Sequence, residues 1–156
     1  MRGFLKKIFP ESVLPYAIVG IAFTAFLFIF FGVRKIESDS MTPTLRDGDR
    51  VVYFRFSSPK KFGIFFIDDP KNTDLKLVKR IVGLPGEKIK DHNTFFIIPA
   101  KHYYVLGDNR GVYWGDEVWG PVVSLDSRNF GPVQEKNIHE RIVLVYWPFS
   151  HYGWVW

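Results

Sequence analysis

The sequence predicts a mainly β protein, an antiparallel β-sheet or partly closed barrel, preceded by one N-terminal transmembrane helix. Three observations predict it. From Ser12 to Val33 no residue is charged, and as a helix rising about 1.5 Å per residue this run would span roughly 33 Å, enough for the hydrocarbon core of a bilayer. Beyond it, short alternating or aromatic-rich runs are separated by Gly, Pro, Asn and Asp clusters, the pattern of strands joined by tight turns. After Leu45 no convincing amphipathic helical period is found, so the remaining layers are sheet. The 156 residues hold one domain and an appendage, and 47% hydrophobic content with 18% aromatics is ample for a core.

Residues 1–11, with Arg2, Lys6 and Lys7, form a basic N-terminus, and 12–33 the anchor. The apolar run is long for a cleaved signal peptide and no Ala-x-Ala site precedes Arg34, so an uncleaved anchor is expected. Arg2, Lys6 and Lys7 outweigh Arg34 and Lys35, which puts the N-terminus in the cytoplasm and 34–156 outside, a single-pass protein of the cytoplasmic membrane. Ser40 then lies within about 23 Å of the helix end even if the chain between is fully extended. Strands are expected over Arg50 to Phe56, Phe62 to Ile67, Leu75 to Val82, Thr94 to Ile98, Tyr103 to Leu106 and Arg141 to Trp147. The turns are Asp47-Gly48-Asp49, Asp68-Asp69-Pro70, Gly83-Leu84-Pro85-Gly86 and Gly107-Asp108-Asn109.

Composition narrows the function classes. The chain has no cysteine, which excludes disulfides, thiolate metal sites and cysteine nucleophiles. Its net charge of +5 favours an anionic partner. The basic residues are scattered and form no stripe, a pattern that suits membrane phospholipid and not nucleic acid. His92, His102, His139 and His151 have no metal-ligand spacing, and the glycine turn at 83–86 lacks the Lys and hydroxyl of a phosphate loop, so no metal and no cofactor are expected. Trp114, Trp119, Phe149, Tyr152, Trp154 and Trp156 suit a headgroup region as well as a core, whereas Trp147, within a strand, is expected to pack inside.

Two residues are candidates for the chemistry, Ser40 and Lys79, although a serine before a turn also serves as a cap or a local hydrogen-bond partner. In Ser38-Asp39-Ser40-Met41-Thr42-Pro43-Thr44-Leu45, Pro43 stiffens the chain beside two serine hydroxyls. In the strand Leu75 to Val82, Leu75, Leu77, Lys79 and Ile81 share one face, on which Lys79 is the lone polar residue. Burial there would lower its pKa, at about 2.7 kcal/mol of stability for a fall of about two, and would make it a general base. The alternatives are a lysine that snorkels to water at a sheet edge and a Ser-His-Asp triad of Ser40 with His102 or His139.

Taken together with Gly48-Asp49-Arg50-Val51-Val52, Lys79-Arg80-Ile81-Val82-Gly83-Leu84-Pro85-Gly86, Gly107-Asp108-Asn109-Arg110 and Ser124-Leu125-Asp126-Ser127-Arg128, the Ser38 to Leu45 segment resembles the ordered motif boxes of type I signal peptidases. The resemblance implies a membrane-anchored serine endopeptidase that removes signal peptides from exported preproteins with small residues before the cleaved bond, working beside the export machinery. It implies Ser40 as nucleophile, Lys79 as general base, and Ser38 with the Ser40 backbone as oxyanion hole. Ser124, Asp126 and Arg128 would support them, and Ile36 and Met41 would line the substrate pocket. A specialised processing peptidase of pilin or a dedicated surface protein would share this chemistry; a non-catalytic anchored β-domain would leave Ser40 or Lys79 idle. A self-cleaving repressor with the same dyad would need a DNA-binding segment where the apolar run stands.

The sequence departs from the family pattern in three places. Glu87 replaces the usual aspartate, Glu37 stands where proline is common, and Gly111 to Val123 lengthens the link between the last two motifs. Gly120-Pro121-Val122 recurs as Gly131-Pro132-Val133, which suggests a local duplication in a surface loop and leaves the reach of Ser124 to Lys79 open. Long surface insertions cost little loop entropy. Deletion of Gly111 to Pro121 is therefore expected to leave a folded chain that still cleaves a model preprotein; complete loss of cleavage would sink the idea of a dispensable insertion.

Overall fold

The run Ile64–Asp68, apolar at every position but the last, forms strand β3, and burial on both sides explains why it does not alternate. Ile64 and Phe66 face one hydrophobic cluster while Phe65 and Ile67 face another. The protein is seen in a computed structural model that describes residues 13–91, 94–110, 112–114, 117–119 and 124–155. Around β3, strands β1 (Phe31–Lys35), β2 (Arg50–Phe54), β4 (Lys76–Gly83), β7 (His102–Leu106), β10 (Val133–Gln134) and β11 (Ile138–Trp147) make an antiparallel sheet in the order β1-β2-β11-β3-β4-β7-β10. Strand β12 (Gly153–Trp154) pairs with β11 beside this path.

The sheet curls into a half-barrel. One cluster joins Val51 and Tyr53 of β2, Phe66 of β3 and Ile142 and Val145 of β11 to Ile36, Met41, Leu45 and Val155. The second joins Phe65 and Ile67 to Ile81, Tyr103, Val105, Val133 and Ile138. A mainly antiparallel, partly closed β domain is thus what the strand pattern anticipated. Two hairpins stand apart, β5 (Lys88–Asp91) with β6 (Thr94–Ile97), and β8 (Val112–Trp114) with β9 (Glu117–Trp119). The second hairpin lies within the lengthened link, whose side chains, including Trp114 and Trp119, fall outside the described residues, as do 1–12, His92 and Trp156.

The apolar run departs from its expected span. Helix α1 covers Leu14–Phe30 and buries none of its residues, and Phe31–Val33 belong to β1. Its 17 residues rise only about 25 Å, short of the roughly 30 Å hydrocarbon core. No helix among the described residues is long and apolar enough to cross a membrane. The cause is strand pairing: Arg55 N donates to Phe30 O, and Phe31 to Lys35 register with Phe54 to Arg50. A sheet partner captures residues whose composition suits either state.

Trp147 also departs from expectation. It ends β11 at 46% exposure, edge-on to Phe149 at 5.0 Å, and is not a core residue. Register shifts between Ile142 and Leu144 and between Val145 and Trp147 change which side chains point inward near the strand's end.

Candidate active site

Between β1 and β2 the chain makes a tight loop whose base is a short backbone pairing. Ile36 N donates to Asp49 O and Gly48 N to Ile36 O, both within 2.9 Å. Inside it Thr42 N donates to Asp39 O and Leu45 N to Met41 O, while Met41 and Leu45 anchor the loop in the first cluster. Ser40, 6% exposed, is thus held by its neighbours on both sides. Its backbone N donates to Ser38 Oγ at 3.2 Å, so the two groups proposed by resemblance as oxyanion donors lie together, the Ser38 oxygen accepting from the Ser40 N-H.

Lys79 enters from β4 opposite Phe65 of β3, at 1% exposure. It does not snorkel. Its Nζ donates to Ser40 Oγ at 2.9 Å, a buried contact between residues 39 apart in sequence. Burial strips hydration from the ammonium and pushes its pKa down from 10.5 to about 8; the Asp126 carboxylate opposes the fall and the Arg128 guanidinium adds to it. A neutral amine at hydrogen-bond distance from a hydroxyl can take its proton, which a protonated one cannot.

The turn after β7 fastens this pair from the other side. Asn109 N donates to Ser40 O at 3.1 Å and its Nδ2 to Asp39 O at 3.0 Å. Asp108 accepts Arg80 Nε at 2.9 Å, Arg80 Nη2 at 2.6 Å and Thr44 Oγ1 at 2.7 Å, tying the serine loop to the residue after Lys79. Burial alone would raise the Asp108 carboxyl, but the hydrogen bonds from Arg80 and Thr44 hold it below its ordinary value. Sequence reading saw only a turn here. The signal available was an Asp and an Asn within a motif box, residue types suited to fastening backbone as well as to turning it.

Ser124, Asp126 and Arg128 stand behind Gly107. Asp126 is fully buried, accepts Gly107 N at 3.1 Å, and pairs with Arg128 through Nε at 2.9 Å and Nη2 at 2.8 Å. It also caps helix α2 (Ser127–Phe130). Burial would raise its carboxyl, yet Arg128 and the Gly107 N-H keep it low. Ser124 Oγ is buried without a hydrogen-bond partner among the described residues and makes none with Lys79. A Cβ added at Gly107 would sit 2.0 Å from Ser124 Oγ and 2.6 Å from Ser40 O, so only hydrogen fits there.

The dyad opens on a cleft of about 260 Å³ lined by Ile36, Ser38, Met41, Phe66, Val78 and Leu125 among others. Ile36 and Met41 are both buried and both reach it. The three described histidines lie elsewhere: His102 Nδ1 meets Ala100 O, His139 Nε2 meets Asp68 Oδ2, and His151 Nδ1 meets Asp49 Oδ2. None contacts Ser40 Oγ, which sets aside the histidine triad. Among the described residues no cluster could hold a metal ion.

A serine hydroxyl bonded to a buried lysine, at the edge of a cleft of mixed polar and apolar lining, is an arrangement suited to hydrolytic chemistry. The comparisons give the family. The family model described as signal peptidase, peptidase S26, matches residues 10–98 and 90–147. The chain is 31% identical over 153 residues to mitochondrial inner membrane protease subunit 1 of Schizosaccharomyces pombe, covering 89% of each chain. It is 29% identical to signal peptidase IB of Staphylococcus aureus strain COL, over 75% of this chain and 78% of that one. The chain belongs to the signal peptidase family S26 and is a serine endopeptidase of that family.

Two substitutions test this geometry. Gly107→Ala should push the Ser40 carbonyl off its place and lower cleavage by about 100-fold, the scale of a 1 Å misplacement, while circular dichroism shows an intact sheet. Lys79→Met should stabilise the fold at pH 7 by up to about 3 kcal/mol, because it removes a charge that burial disfavours. The folded chain holds this proton less tightly than the unfolded one, so the penalty is full below about pH 8 and fades as pH rises toward 10.5. Denaturant titrations at several pH values should show the gain of Lys79→Met shrinking over that window.

Proposed function

We propose that this chain is a single-pass, membrane-anchored signal peptidase whose nucleophile is Ser40 and whose general base is Lys79. The observation that carries it is the buried 2.9 Å contact between them. Lys79 in its neutral form takes the Ser40 proton as Oγ attacks the scissile carbonyl, passes it to the leaving amine, and then activates the water that hydrolyses the acyl-enzyme. The oxyanion displaces the Ser38 contact and accepts from the Ser40 N-H and the Ser38 hydroxyl, a donor pair of which each member is worth about 100-fold or more. Asp126 and Arg128 fix the Gly107 turn, and Ser124 fills the space beside it.

Substrate geometry follows from the sheet. Strand β4 pairs with β3 along Lys76–Arg80, but its pairing with β7 starts only at Arg80. The backbone of Lys76–Lys79 therefore offers a free edge along the cleft, to which an extended preprotein segment can add as a strand. Ile36 and Met41 close the pocket beneath it and favour small side chains before the cleaved bond. For the membrane, α1 with no buried residue and the basic residues Arg2, Lys6 and Lys7 ahead of it support anchoring with 34–156 on the outer face of the cytoplasmic membrane, near phospholipid and the export machinery. A specialised processing peptidase has one observation in its favour, the added hairpin β8-β9 within the lengthened link.

Cleavage of a preprotein bearing an Ala-x-Ala site, in lipid or detergent, tests the proposal. The wild type should cut after the site, with Ser40→Ala and Lys79→Ala inert at equal folded concentration, and its rate should climb as pH rises through about 8, where Lys79 becomes neutral. An active Lys79→Ala variant, or a rate that falls over that rise, would overturn the assigned base. A wild type inert on this substrate yet acylated at Ser40 by a serine-directed inhibitor would favour the specialised reading.

A further inference from the structure

The Asp49 carboxylate is 2% exposed and closes the serine loop. Its Oδ2 accepts Arg46 N at 2.9 Å and His151 Nδ1 at 2.8 Å, from a residue 102 positions away. An ionised carboxylate only accepts, so Nδ1 carries the hydrogen. His151 ends a 3-10 turn (Phe149–His151), and the chain after it re-enters the sheet: Gly153 and Trp154 pair with Val145 and Leu144, and Val155 N donates to Val143 O. Val155 is buried in the cluster that also holds the cleft residues Ile36 and Met41. The C-terminal tail is thus fastened to the serine loop at two points.

We propose that His151 is a positioning residue: by holding the Asp49 side chain it sets the Ile36–Asp49 and Gly48–Ile36 pairing that carries Ile36 and Ser38 to the cleft. The proposal rests on the reading of Ser38 as an oxyanion donor. Ser40 itself has an independent hold through Asn109, whereas Ser38 stands two residues past Ile36 with only the Ser40 N-H among its described partners. Loss of the imidazole donor leaves a buried carboxylate under-satisfied, and it gains by turning toward the water that replaces the ring. That turn moves the Asp49 backbone, and with it Ile36 and Ser38.

The test compares His151→Leu, which removes the donor, with His151→Asn, whose amide nitrogen can reach much the same place, and with Val133→Ala, which weakens the second core, to which no residue of the serine loop belongs. Expected for His151→Leu at equal folded concentration is a fall in kcat of about 10 to 100-fold that exceeds any rise in KM. It should also lose amide-exchange protection at Ile36 and Gly48. His151→Asn should restore both readouts, and Val133→Ala should lower thermal stability without lowering kcat. Should His151→Leu not fold, His151→Phe, which keeps a ring but has no donor, takes its part. Wild-type kcat in the donor-lacking variant, unchanged protection at Ile36 and Gly48, or an equal loss in His151→Asn would overturn the proposal. Ser38→Ala, assayed alongside, reports on the oxyanion reading itself, and the exchange data stand whether or not that reading does.

Discussion

Everything in this structure answers to one costly placement, a lysine ammonium enclosed in a protein interior and set against a serine hydroxyl. Water would hold Lys79 protonated at any physiological pH; burial lowers that preference until the amine is partly neutral near pH 8. Two sets of neighbours oppose each other in tuning it. The carboxylates of Asp126 and Asp108 favour the charge, while Arg128 disfavours it and also neutralises Asp126 by direct pairing. Without its guanidinium a buried Asp126 would favour the Lys79 charge more strongly, so the ion pair matters for the proposed base as well as for the helix that Asp126 caps.

The hydroxyl has to meet the amine without being allowed to follow it. Ser40 is held by Asn109 through its carbonyl, by its own loop through Met41 and Leu45, and across Thr44 by the Asp108 carboxylate that also grips Arg80. Arg80 follows Lys79 directly, so one carboxylate sets the spacing between the strand that carries the amine and the loop that carries the hydroxyl. Gly107 makes the approach possible, since the turn passes too close to the Ser40 carbonyl for any side chain. The half-barrel brings these parts to one place: of the two cores, one on each face of β3, the first anchors the serine loop through Met41 and Leu45 and the second holds Phe65, the cross-strand partner of Lys79.

Much of this was legible in the sequence, and the missing part has a common cause. The face of Lys79 followed from strand alternation alone, because β4 keeps its period across the site. The strands with clear punctuation were also found, to within a few residues. Readings failed where pairing overrode composition, as at Phe31–Val33, which are apolar enough for a helix but are captured by β2, and at Trp147, which register shifts turn outward. The two-residue strands β10 and β12 carry too little pattern to be read. The roles of Asp108 and Asn109 and the meeting of Asp49 with His151 depend on contacts between distant segments, which no local period encodes. At Glu87, a departure from the family pattern, the carboxylate accepts Leu84 N at the turn and pairs with Lys61.

The join between α1 and the sheet bears on where the proposed chemistry happens. Strand β1 begins at the residue after the helix ends, and Ile36, Ser38 and Ser40 follow it without a flexible linker. Five strand residues advance about 17 Å at roughly 3.3 Å each, so the serine loop stands at a height above the helix end fixed by hydrogen bonds and not by chain statistics. With the proposed anchor, that height is also the height of the cleavage site above the bilayer. A preprotein whose apolar segment lies in the same membrane then needs only a short extended stretch to reach the free edge of β4. Position relative to the membrane would therefore select the bond to be cut jointly with the small-residue pocket, and a rigid β1 is what gives that selection a defined length.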